Sequence, residues 1–71
     1  MERLIEIIRN YTEEENISGE SNFRKDLGLA SFDAVCMASD IRKTLGVSVE
    51  ASDFLRCPSV KSLWAHISSQ L

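Results

Sequence analysis

Three sets of apolar residues recur at helical spacing, and no stretch of the chain alternates for long enough to make a paired strand. Leu4, Ile7, Ile8 and Tyr11 fall at i, i+3, i+4 and i+7. Val35, Ala38, Ile41 and Leu45 form the second set, with Met37 on one flank. Val60, Leu63, Trp64, Ile67 and Leu71 form the third. Residues at these steps share one face of a 3.6-residue helix, and that face must be covered. In a chain of 71 residues the simplest cover is each other, so the pattern predicts one all-α domain spanning residues 1–71.

Local signals set the expected boundaries. The first helix is predicted over residues 2–13, with Glu2 suiting the positive end of its dipole. The polar stretch TEEENISGESN reads as a long loop, and Ile17 is the one residue able to pin it to the core. FRKDLGL reads as a structured turn, in which Gly28 permits a backbone that other residues resist. The second helix is predicted from Ser31 to Leu45, with Ser31 as a favourable starting residue and Asp33 in its first turn. Arg42 and Lys43 suit its last turn, and Gly46 its C-terminal cap. VSVEAS is an extended link. Asp53-Phe54-Leu55 is one turn of helix capped by Ser52 or Asp53 and ended by Cys57-Pro58, because the residue before a proline avoids helical geometry. Ser59 caps the last helix. The expected architecture is a small four-helix bundle, three long helices and one short. Its expected core is Leu4, Ile7, Ile8, Tyr11, Phe23, Leu27, Val35, Ala38, Ile41, Leu45, Val47, Val49, Phe54, Leu55, Val60, Leu63, Trp64 and Ile67.

Composition narrows the function. A core this small cannot wrap a large buried active site, which favours a carrier or interaction module over an enzyme, and no catalytic residue is assigned. No apolar run reaches membrane-spanning length, so membrane insertion is not expected. The segment MERLIEIIRNYTEEE mixes charge with apolar residues unlike a signal peptide, which makes the cytoplasm the expected compartment. Cys36, Cys57 and His66 are too few and too scattered for a structural zinc site, so no metal site is assigned and two free thiols are expected. The net charge is −3, with six acids against two bases in residues 1–20 and five acids against six bases in the remainder. No concentrated basic face results, and nucleic acid is not an expected partner.

The run Asp26-Leu27-Gly28-Leu29-Ala30-Ser31-Phe32-Asp33-Ala34-Val35 resembles the attachment motif of the acyl carrier protein family, usually written D-L-G-x-D-S-L-D-x-V. The resemblance extends over essentially the whole chain. Phe23 resembles the family's apolar residue before the motif, Leu45-Gly46 the end of its second helix, and Val47 and Val49 the link that follows. Asp53 resembles the acid opening the short third helix, and Ser59-Val60 the Thr-Val pair opening the fourth.

The resemblance implies a carrier with no catalytic activity of its own. A phosphopantetheinyl transferase would move 4'-phosphopantetheine from coenzyme A onto Ser31. The arm's thiol would then hold acyl or aminoacyl intermediates as thioesters, in fatty-acid, polyketide, nonribosomal-peptide or related biosynthesis. Acyl-loading and acyl-processing enzymes would be the partners of an expected monomer. By position, Leu29, Phe32, Asp33, Val35, Cys36 and Asp40 would be the partner contacts. Three departures stand out. Ala30 replaces the family's Asp, Phe32 replaces its Leu, and the second helix balances Asp33 and Asp40 against Arg42 and Lys43 where fatty-acid carriers are acidic. A specialised carrier is the expectation that follows. The alternative is an unmodified, carrier-like adaptor that acts through protein contacts alone, for which Ala30 is the best support. A small DNA-binding helical module is a third class, disfavoured by the missing basic face.

Overall fold

The computed structural model describes all 71 residues and contains four helices and no strand. They are α1 (Glu2–Arg9), α2 (Ser31–Leu45), α3 (Asp53–Arg56) and α4 (Val60–Ser68). This is the expected small all-α four-helix bundle, with the expected order and the expected bounds for α2. Leu4, Ile8, Met37, Ile41, Val49, Val60, Leu63 and Ile67 are its most deeply buried side chains. The buried stripes are Leu4, Ile7 and Ile8 on α1, Met37, Ala38 and Ile41 on α2, and Val60, Leu63 and Ile67 on α4.

The long α1–α2 loop is fixed by its own polar atoms and by the start of α4. The Phe23 N–H donates to Pro58 O (2.9 Å) and the Val60 N–H to Ser21 O (3.0 Å). These bonds belong to a single antiparallel bridge between Asn22 and Ser59. Ile17 packs against the core as expected. Gly28 (φ 63) and Gly46 (φ 67) adopt the left-handed backbone that disfavours a Cβ. Gly46 ends α2, with its N–H on Arg42 O (3.0 Å).

Several expectations are corrected. The first helix stops at Arg9, not residue 13, because Thr12 Oγ1 donates to Leu27 O (2.9 Å) and accepts from the Glu14 N–H (3.2 Å). A threonine side chain that bonds backbone in this way competes with helix continuation. Val35 is exposed, and Met37 sits in the centre of the core. Positions 34, 38, 41 and 45 step by 4, 3 and 4 and keep to one helix face more closely than 35, 38, 41 and 45, which step by 3, 3 and 4, so the period favours the small Ala34 for the inner face and leaves Val35 at its edge. Leu55 is exposed because a one-turn helix buries one side only, and Asp53 and Phe54 occupy it. Leu71 lies beyond the end of α4 and is exposed. Tyr11, Leu45 and Trp64 flank the core half-buried. Neither Ser52 nor Asp53 caps α3 by its side chain; Asp53 Oδ2 accepts instead from the Glu50 N–H (2.8 Å).

Candidate functional site

Ser31 does not cap α2. Ala30 holds the cap position with an extended backbone (φ −91, ψ 171), and Ser31 is the first helical residue. This corrects the expectation of a serine cap and changes what its hydroxyl is free to do. A cap serine spends its oxygen on a backbone N–H one turn ahead. The Ser31 side chain makes no intramolecular hydrogen bond and is exposed. Ala30 has no acceptor to offer, so the N–H groups of Ser31, Phe32 and Asp33 are left without partners at the positive end of the helix. The reciprocal half of a capping pair is present: the Ala30 N–H donates to Asp33 Oδ2 (3.0 Å), which fixes the loop as it enters the helix.

Ser31 stands at the edge of an apolar cleft of about 320 Å³ between α2 and α3. Leu29, Ala34, Val35 and Met37 form one wall, and Ala51, Phe54 and Leu55 the other. Phe23, also in the lining, meets Phe54 edge-to-face at 5.0 Å, a favoured aromatic geometry. Arg24 is the one ionisable residue in the lining.

The six residues expected as partner contacts separate into groups. Phe32 and Val35 are 74% and 54% exposed. Leu29 is 6% exposed, lines the cleft and belongs to the core, so its expected surface role is corrected to packing. Cys36 is half-buried and free. Asp33 accepts from the Ala30 N–H and Asp40 from the Tyr11 hydroxyl, so both half-buried acids are engaged within the chain. That bond to Asp40, then burial, then the Asp40 charge push the Tyr11 hydroxyl up to about 12, since each disfavours a phenolate beside a carboxylate.

Sequence reasoning missed three features. Leu55 faces out over the cleft, Arg24 lines it, and His66 Nε2 lies 3.6 Å from the Asp53 carboxylate, joining α4 to α3. The last two depend on loops whose path no periodicity encodes.

A four-helix bundle with an unencumbered serine at a helix start beside an apolar cleft fits a carrier-type module. The comparisons agree: the chain belongs to the phosphopantetheine attachment site family, whose model matches residues 2–67. The family carries 4'-phosphopantetheine covalently and is a carrier domain rather than a catalyst. The chain is also similar to a non-reducing polyketide synthase, pkgA, of Emericella nidulans, being 37% identical over 54 residues. That match covers 76% of this chain and 3% of the synthase, so the chain corresponds to a small part of that relative. No solved structure matches it.

The site residues suit the family's group. Attachment through phosphate at Ser31 would place an anion at the serine oxygen, and the free N–H groups of Ser31, Phe32 and Asp33 are the donors a helix start offers to an anion. The methyl of Ala30 competes for none of them.

Proposed function

We propose that Ser31 is the attachment point of the arm and that the protein presents acyl or aminoacyl thioesters to partner enzymes. The observation that carries this reading is the exposed, unbonded hydroxyl of Ser31 at the start of α2, inside the matched family span. Loading forms a bond from Ser31 Oγ to phosphorus as the phosphoanhydride bond of coenzyme A breaks. Adenosine bisphosphate leaves, and the serine proton passes to a base on the transferase. The arm supplies a thiol for thioester chemistry, while the chain supplies position and recognition. The free donors at the helix start hold the phosphodiester, and the cleft beside it suits the apolar part of a short acyl chain. The polyketide synthase relative supports polyketide or related specialised biosynthesis as the setting. In this reading the protein works as a cytoplasmic monomer and is loaded by a phosphopantetheinyl transferase.

The test is intact mass after incubation with coenzyme A and a broad-specificity phosphopantetheinyl transferase. The wild type is expected to gain one phosphopantetheine and Ser31→Ala none. A chain that stays unmodified at every enzyme level is the adaptor instead, an outcome that Ala30 keeps open.

A further inference from the structure

The charges on α2 and α3 divide by exposure in a way that their sum hides. Asp33, Asp40 and Asp53 are half-buried or buried, and each is engaged within the chain, by the Ala30 N–H, the Tyr11 hydroxyl and the Glu50 N–H respectively. The cations Arg42 and Lys43 of α2 and Arg56 of α3 are all exposed, and none is within 4 Å of an acid. The Arg42 guanidinium does donate to Val49 O (2.7 Å), which holds its head against the chain without neutralising it. Along α2 the exposed residues Phe32, Val35 and Arg42 fall at i, i+3 and i+10, a single solvent-facing stripe that is apolar near Ser31 and cationic at the far end. Across the cleft, Leu55 is 70% exposed and Arg56 follows it. Arg24 adds another exposed cation to the lining. Glu50 is the one exposed acid from Ser31 to Arg56.

We propose that this α2–α3 face docks a partner protein surface made of an apolar pocket flanked by carboxylates. Phe32, Val35 and Leu55 are the anchors, and Arg42, Lys43 and Arg56 face the partner's acids. Exposed aromatic and aliphatic side chains of this size gain most from entering a pocket, and surrounding charges set encounter rate and partner choice. The cationic rim argues for an acidic partner. Continuity with Ser31 argues for an enzyme, because whatever receives an arm from that residue covers the adjacent stripe. This last step rests on Ser31 being the attachment point; the charge argument does not.

The test uses unmodified protein, so a failure of loading leaves it unaffected. Two helical peptides share one Leu/Phe face and carry either Glu or Lys on the flanks, and backbone amide shifts report binding to each. The Glu-flanked peptide is expected to shift Phe32, Val35, Leu55 and Arg56 and to bind at least tenfold more tightly. Raising salt weakens it, and a Phe32→Ala/Leu55→Ala variant with unchanged helical circular dichroism loses most of it. Equal or tighter binding of the Lys-flanked peptide overturns the proposal. So does self-association of the protein at the same concentrations, which would make a second copy the occupant. Tighter co-sedimentation with anionic lipid vesicles than binding to the Glu peptide overturns it in favour of a lipid surface.

Discussion

The starts of α2 and α4 are built from the same residue type and finished differently. At α4, Ser59 is the cap. Its oxygen accepts from the Ser62 N–H (3.2 Å), and Ser62 Oγ accepts from the Ser59 N–H (3.1 Å). The other two free donors of that helix are also used, Val60 N–H on Ser21 O and Lys61 N–H on Gly19 O (2.8 Å). At α2 the serine is one position further in, the cap is alanine, and three donors and one hydroxyl are left open. A serine that caps a helix is committed to stability. A serine just inside an uncapped start is available for chemistry, and the fold forgoes the stabilisation of a cap there.

The contrast makes graded predictions. The largest concerns packing behind each start. Leu63, fully buried in α4, is expected to cost about 2–5 kcal/mol when replaced by Ala, through lost burial and the cavity left behind. Phe32→Ala in the first turn of α2 is expected to change stability by less than about 0.5 kcal/mol, since the side chain is mostly in water. Urea denaturation of both variants measures the difference, and comparable losses would show that the start of α2 is a packed element after all.

Next come the caps themselves. Ser59→Ala is expected to lose about 1 kcal/mol, whereas Ser31→Ala stays within about 0.5 kcal/mol of wild type while abolishing loading. A Ser31→Ala loss as large as that of Ser59→Ala would mean its hydroxyl is engaged in the folded protein. Ala30→Asp is smaller and opposite in sign. It supplies the missing acceptor for the Asp33 N–H and is expected to raise stability by about 0.5–1 kcal/mol, read as a higher urea midpoint. An unchanged midpoint would mean that the neighbouring Asp33 carboxylate repels the new one as strongly as the cap attracts it.

Much of this was legible from residue order, and the limits have physical causes. Ser59, Gly46 and Gly28 each act through bonds or torsions within a few residues, so local chemistry was enough to place them. The attachment motif located Ser31, but residue types did not distinguish a cap from a first helical residue, because the difference is whether the backbone of Ser31 itself is helical. Val35 is expected in the core on helical spacing, and Leu55 on hydrophobicity. They are exposed because small Ala34 and the short α3 let Met37 and Phe54 take the interior. Both line the cleft beside Ser31, where a rule that buries every apolar residue fails. Arg24, His66 and the Tyr11–Asp40 pair depend on how loops bring distant residues together.

The Tyr11–Asp40 pair extends the comparison to the far side of α2, where an acid is consumed that would otherwise face solvent. Tyr11 is the one tyrosine in the chain, so the phenolate absorbance titrates this site alone. Its folded value of about 12 lies above the ordinary 10.0, which means the neutral phenol is favoured by folding. The stability gained is fully present below pH 10 and is lost as pH rises through about 12, because the unfolded chain releases its proton first. At neutral pH, Tyr11→Phe is expected to lose what the bond contributes there, a loss kept small because the pair is partly solvated and water replaces much of the bond. Between pH 10 and 12 the wild type is expected to lose thermal stability faster than Tyr11→Phe, whose curve lacks this step. Parallel curves, or a phenolate midpoint near 10, would show the hydroxyl unbound and Asp40 free to join the surface that α2 presents.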